Sequence, residues 1–463
     1  MRNINLTIED LFNIPTAVIY NPDNYKNVTS VSIDSRSIKK NSLFIAVKGD
    51  KFDGHNFIKD AIKKGATTVV INEKNYKKFN FLQIPFVTVK DTTLALGDLA
   101  KTWRRKLRTK IIGITGSAGK TTTKEMLTTL LNEKYSVNKT IGNNNNHIGV
   151  PLTFFNTNNK HDFLVLELGT NHFGEIAYTS DIAKPNFALI TNIGSSHLEF
   201  LKNKKGVLKE KIALFESTIS QNGLLFINND DNLLNGCIKD YTNKITFGFN
   251  NQADVLANIK DYSDDGRSII EIFFKNKTIT QTFPLYGEQN AKNYLAAATI
   301  ALTLGLNKKQ ILTGTSKFKA VDKRLNVKKF ANFILIDDTY NANPESMKHA
   351  VELLSKIKIY KSKILVLGDM FELGKQSVKL HVELGRFIKK NRVDSVYTIG
   401  TFMKNLNLIL NKNKIDNAHF KNRQSLKSFL NKMPIDNSVI LLKGSRGMKM
   451  EEFVKTIEAR VND

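Results

Sequence analysis

Apolar positions along this chain recur in short runs separated by helical spacing, and the rhythm changes twice. Residues 31–36 read as a short strand ending in a polar turn, residues 42–47 as a second strand closed by Lys48-Gly49, and residues 67–71 as a third. Between them residues 57–64 carry helical spacing, and a longer helical stretch runs from Thr92 to about Arg105. From residue 110 the strands become nearly continuous apolar runs (110–115, 163–168, 187–191 and 223–227), as strands covered on both faces require. An Ala-rich helix is predicted over 290–304. A further alternation begins near Lys317, with strands at 333–337, 363–367 and 438–442. The pattern predicts three α/β domains: a small mixed N-terminal one over 1–90, a central one with a parallel sheet and helices on both faces over 91–314, and a C-terminal Rossmann-like one over 315–463.

Composition narrows the class without naming it. The 463 residues are 41% hydrophobic and 24% charged, which fits a protein with a packed core and excludes a disordered chain. One cysteine, Cys237, permits no intramolecular disulfide and no cysteine-based zinc cluster, as expected in a reducing cytoplasm. The N-terminus leads directly into Glu9 and Asp10 rather than an apolar run, so no export signal is expected. No stretch of about 20 apolar residues predicts a membrane span. A net charge of +26, from 69 basic and 43 acidic residues, would suit a nucleic-acid binder. The lysine pairs are scattered, however, and no basic stripe is interleaved with aromatics, so a solvated surface biased toward anionic substrates is the better reading.

The clearest chemistry lies at residues 113–122, GITGSAGKTT. An apolar strand enters a glycine-rich turn, and a helix with Met126, Leu127, Leu130 and Leu131 on one side leaves it. Such a loop cradles phosphate with backbone amides at a helix N-terminus. Gly116, Ser117, Ala118, Gly119, Lys120, Thr121 and Thr122 form the cradle, Lys120 reaching the β- and γ-phosphates and Thr121 offering a hydroxyl to Mg²⁺. Ile114 stands where the strict motif has its first glycine, leaving a shorter Gly-x-x-Gly-Lys-Thr form. The expected cofactor is ATP, on a P-loop ATPase-like sheet.

Downstream, Glu167 ends an apolar strand and His197 follows the strand at 187–191, so both belong at the carboxyl edge of a doubly wound sheet, near the phosphate loop. Glu167 suits a cation there, because a buried carboxylate is costly without one. His197 reads equally as a metal ligand or as an ordinary histidine, since Mg²⁺ prefers oxygen.

Residues 115–122, 142–151 (GNNNNHIGVP), 167–171 (ELGTN) and 192–199 (NIGSSHLE) together resemble the ATP-dependent Mur ligases of peptidoglycan synthesis. Residues 337–347, 368–374 (GDMFELG) and 443–446 (KGSR) resemble the members that add D-alanyl-D-alanine. The resemblance implies roles position by position. Lys120, Lys211 and His197 would be catalytic, and Thr121, Glu167, His197 and a carbamylated Lys211 would hold Mg²⁺. Asn290 and Asn293 would contact adenine, Asp338 the ribose and Arg324 the phosphates. Ser35, Arg36, Asn145 and Asn146 would bind substrate. Without the resemblance, Lys211 is one more surface lysine beside Lys204, Lys205 and Lys209. The implied substrates are UDP-N-acetylmuramoyl-tripeptide and D-alanyl-D-alanine, joined through an acyl phosphate by a cytoplasmic monomer. The alternatives are the tripeptide-forming ligase, the folylpolyglutamate ligase and, from another class, a basic P-loop NTPase acting on nucleic acid.

Overall fold

A computed structural model describes residues 4–49, 52–238, 240–250, 252–263, 266–411 and 415–462. Three sheets follow one another along the chain. The first contains β1 (Val18–Tyr20), β2 (Ser30–Ser32), β3 (Ser42–Ile45), β4 (Ala66–Asn72) and β5 (Phe86–Val89) in the order β1-β5-β4-β3-β2. β2 to β5 are parallel, and β1 lies antiparallel at the edge. The segment 31–36 is, as expected, a short strand that ends in a polar turn, the strand closing at Ser32. Asp34 accepts the backbone N–H of Arg36 at 2.9 Å and turns the chain into a 3₁₀ turn, Ser35–Ser37.

The central sheet contains β6 (Lys110–Thr115), β7 (Val137–Lys139), β8 (Phe163–Glu167), β9 (Phe187–Ile190), β10 (Leu224–Asn228), β11 (Lys244–Gly248), β12 (Val255–Tyr262), β13 (Arg267–Phe274) and β14 (Lys277–Tyr286). Their order is β14-β13-β12-β11-β10-β9-β6-β8-β7. From β7 to β12 all neighbours are parallel, but β13 runs antiparallel to both β12 and β14. The sheet is therefore mixed, not wholly parallel as expected. The edge ribbon escapes a search for continuous apolar runs because it is covered on one face only: Ser268, Ile270 and Ile272 are buried while the residues between them are not. The helix Glu288–Thr303 covers that face and is buried along most of its length, as its alanines suggested.

The third sheet contains β15 (Asn326–Lys329), β16 (Phe333–Asp338), β17 (Ser362–Gly368), β18 (Ser395–Ile399), β19 (Asp416–Phe420) and β20 (Ser438–Lys443), in the order β15-β16-β20-β17-β18-β19. All are parallel except β15, which pairs antiparallel with β16. One apolar cluster runs from Ile4 and Leu43 through Ile111 and Leu166 to Leu365 and Leu441, so the three units share a packed interior. Trp103 stands at the first junction, where its indole N–H donates to the Thr157 carbonyl at 3.1 Å. Among the described residues no helix is long and apolar enough to cross a membrane.

Candidate active site

The carboxyl ends of β6, β8 and β9 open onto a cleft of about 420 Å³, closed on its far side by the third sheet. β6 delivers the chain into the phosphate loop, and two glycines there have no substitute. Gly116 has φ +147°, and a Cβ on it would lie 1.9 Å from the Thr191 hydroxyl. Gly119 has φ +83°, and its Cβ would meet the Asn293 amide at 2.2 Å. The segment that follows β9 holds the loop in place: Ser117 and Ala118 donate their N–H groups to Asn192 at 3.0 Å each, and Thr191 Oγ1 donates to the Ala118 carbonyl at 2.6 Å. Lys120 opens the helix Lys120–Leu131 and donates to the Gly116 carbonyl at 2.7 Å. Desolvation lowers its pKa, Glu167 opposes that shift and Arg324 adds to it.

Thr121 and Glu167 meet directly, Thr121 Oγ1 donating to Glu167 Oε1 at 3.1 Å. Asn145 Nδ2 donates to the same oxygen at 2.8 Å. The other oxygen, Oε2, is buried with no hydrogen-bond partner and lies 3.6 Å from Lys124 Nζ. A carboxylate oxygen left unpartnered beside a hydroxyl is an oxygen donor set of the kind Mg²⁺ takes, so Thr121 and Glu167 fit the ion. His197 lines the same cleft from the left-handed position before the short helix Leu198–Leu201. Its Nδ1 lies 2.7 Å from Glu372 Oε2 of the third domain, and no group of three or more acidic, histidine or cysteine side chains forms a metal cluster among the described residues.

Lys211 lies in the helix Lys204–Ile219, 1% exposed, outside the residues that line the cleft. Burial, then the charge of Lys120, pulls its pKa well below the usual lysine value, while Glu210 opposes the shift. Glu210 itself accepts the N–H groups of Gly174 and Ile176 at 2.7 Å each. Asn290 and Asn293 are buried at the start of the Ala-rich helix, and both line the cleft. Asn146 is drawn into local structure, its Oδ1 accepting the N–H of Gly149 at 2.9 Å at the start of the helix Gly149–Phe155. β2 of the first domain packs against that helix. Ser35 is buried in the turn after β2. Arg36 is exposed, paired with Asp34 at 2.8 Å, and neither lines the cleft.

The third domain supplies the opposite wall. Arg324 Nη2 donates to Thr121 Oγ1 at 3.2 Å, and its guanidinium stacks 4.1 Å from the centroid of Tyr340. Asp338, at the end of β16, pairs with Lys443 at the end of β20 at 2.6 Å. Burial raises the pKa of Asp338, and Lys443 opposes the shift. Lys124, Lys443, Tyr340 and Glu372 were not singled out from sequence. Lys124 carried a usable signal: it lies four residues after Lys120, hence on the same helix face, yet is fully buried.

A phosphate loop on one sheet, faced by ionic side chains from a second sheet, defines a nucleotide-dependent ligase assembled from three α/β domains. Known proteins agree. The Mur ligase middle-domain family matches residues 114–301, the Mur ligase glutamate-ligase-domain family 323–446, and the family described as the Mur ligase catalytic domain 27–104. A UDP-N-acetylmuramoyl-tripeptide–D-alanyl-D-alanine ligase from Haemophilus influenzae is 34% identical over 469 residues, covering 99% of each chain. A crystal structure of MurF from Acinetobacter baumannii superposes with a TM-score of 0.88 at 29% identity, over 99% of this chain and 100% of that one. MurF from Thermotoga maritima, solved in complex with ADP, gives 0.81 at 28% identity over 94% and 98%. The chain belongs to the Mur ligase family, on its MurF branch.

Proposed function

We propose that this chain is the ATP-dependent ligase that joins D-alanyl-D-alanine to UDP-N-acetylmuramoyl-tripeptide, giving the pentapeptide precursor of peptidoglycan. The observation that carries the reading is the phosphate loop with Lys120 and Thr121 facing Arg324, inside a chain collinear with ligases of that name. A carboxylate is a poor electrophile, so the γ-phosphoryl group of ATP is first transferred to the tripeptide carboxylate. The dipeptide amine then attacks the acyl phosphate, and phosphate leaves. The first step brings two anions together, and Lys120 and Arg324 offset their repulsion. Mg²⁺, held by Thr121 and Glu167, would add charge neutralisation at the same phosphates.

The residue roles belong to this proposal. Asn290, Asn293 and Asp338 hold the nucleoside, and the turn at Ser35 and Arg36 holds the UDP end of the precursor. Asn145 and Asn146, which line the cleft, bind the anionic groups of the precursor. The division of labour follows segments 1–90, 91–314 and 315–463. Every group comes from one chain, so a monomer suffices, and its substrates would be met in the cytoplasm. The relatives lend no support to a carbamylated Lys211. What supports it is burial that favours the neutral amine, the form that adds CO₂. The test is phosphate release with a panel of amines: D-alanyl-D-alanine, diaminopimelate, lysine and glutamate, each with UDP-linked dipeptide and tripeptide. Product from the tripeptide and D-alanyl-D-alanine alone is expected; preference for another pair refutes the assignment.

A further inference from the structure

Two segments set apart in the sequence by their resemblance, residues 368–374 and 443–446, have no part in the steps above, yet both contribute residues to the cleft lining. We propose that Arg446, Phe371 and Gly447 form the subsite for the far end of the incoming dipeptide, the guanidinium taking its terminal carboxylate and the phenyl ring packing on its methyl group. The proposal rests on the ligase reading and deepens it.

The charges of the cleft single out Arg446. Among the described residues, its lining lysines and arginines are Lys120, Arg324, Lys443 and Arg446. Lys120 and Arg324 sit on the phosphate loop, at Gly116 and Thr121. Lys443 is buried, donating to Asp338 at 2.6 Å and to the Asn341 carbonyl at 3.0 Å. Arg446 is different. Its side chain is 57% exposed, and among the described residues its head group touches Glu451 Oε1 at 3.3 Å and, at 5.7 Å, the centroid of the Tyr340 ring. A guanidinium carries five N–H donors in a fork that matches a carboxylate, so most of them stay available. Glu451 also pairs with Lys323 at 3.2 Å, which divides its hold on Arg446.

The surroundings suit an alanine side chain. Phe371 is 41% exposed and faces the cleft. Gly447 lies against it, and a Cβ there would come within 2.8 Å of the ring edge, so glycine leaves room where any side chain would fill it. The two segments are fixed before any substrate arrives. Phe371 N–H donates to Ser445 Oγ at 2.8 Å, Ser445 N–H to the Asp369 carbonyl at 2.9 Å, and Met370 N–H to His381 Nε2 at 3.0 Å. The Asp369 carboxylate in turn accepts Met403 N–H at 2.8 Å. Glu372, next to Phe371, reaches His197 of the second domain, so the loop bearing the ring stands at the seam where the two halves of the cleft meet.

The test compares D-alanyl-D-alanine with D-alanyl-D-alaninamide, whose far end is neutral, as acceptors for wild type, Arg446→Ala and Arg446→Lys, with calorimetric ADP binding alongside. A lost charge-assisted contact predicts that Arg446→Ala lowers kcat/KM for the acid by about 10- to 100-fold, mainly through KM. The amide should fall by less than twofold, ADP binding should hold, and Arg446→Lys should recover part of the preference. Arg446→Ala that still prefers the acid as wild type does overturns the proposal. So does a loss that falls on ADP binding, which would assign Arg446 to the phosphates. Wild type that makes no product with D-alanyl-D-alanine fails earlier, and defeats the ligase reading together with the subsite.

Discussion

The phosphate loop is one run of chain, residues 116–122, braced by neighbours of its own domain, whereas the facing wall joins side chains as far apart as Asp338 and Lys443, 105 residues distant. On the first wall backbone amides and two glycines set the geometry, and Asn192 clamps the loop from just beyond the end of β9. On the second, ions and a ring position one another: Asp338 with Lys443, and Arg324 with Tyr340. A wall built from backbone survives loss of a side chain with its shape intact and loses only chemistry. A wall built from buried ion pairs loses shape and stability when one partner goes.

Lys120 gives the largest expected effect. Lys120→Ala removes the cation proposed to offset charge at the transferring phosphoryl group, and turnover should fall about 100- to 1,000-fold. Because Asn192 and Thr191 hold the loop and Lys120 adds a single bond to it, at the Gly116 carbonyl, the thermal unfolding midpoint should move little. A phosphate-release assay and a melting curve on the same sample check both halves. A large drop in the midpoint would show that the loop leans on Lys120 after all.

Asp338→Asn reverses the pattern. It leaves Lys443 buried without its counter-charge, and stranding one member of a buried pair costs about 3–5 kcal/mol. Denaturant unfolding should show that loss, and the double variant Asp338→Asn with Lys443→Met should recover much of it. ADP affinity should fall in both variants if the Asp338 carboxylate holds the ribose as proposed, since it is absent from each. A single variant as stable as wild type would erase the distinction between the walls.

This difference also explains what was legible in the sequence. The loop at residues 113–122 is contiguous, and its strand–turn–helix context could be read directly. So could the strand ends that present Glu167 and His197. The pairing of His197 with Glu372 could not, because nothing local says which residue of another domain will face it. The edge ribbon β12–β14 was missed for a different reason: one covered face gives alternation, which is weaker than an apolar run. The polar turn expected at the end of 31–36 was legible because one local side chain, Asp34, makes it by accepting the Arg36 N–H. The phosphate loop, Arg324 and Asp338 line one cleft, whereas Lys211 lies outside its lining and Ser35 and Arg36 lie elsewhere on the first domain.

Tyr340 gives the smallest effect and the finest test of the second wall. Arg324 stacks at 4.1 Å on its ring, and Arg446 approaches the same ring at 5.7 Å, so one aromatic ring helps hold two like charges over the cleft. A cation–π contact contributes about 0.5–2 kcal/mol. Tyr340→Leu should therefore raise KM for ATP roughly three- to tenfold, with kcat falling by a smaller factor, because Arg324 loses a preferred position rather than its charge. Tyr340→Phe keeps the ring and should stay within about twofold of wild type. Steady-state kinetics with ATP varied at saturating acceptor separates these outcomes. If phenylalanine costs as much as leucine, the hydroxyl and not the ring face orders this wall, and Arg324 reaches Thr121 without the ring's help.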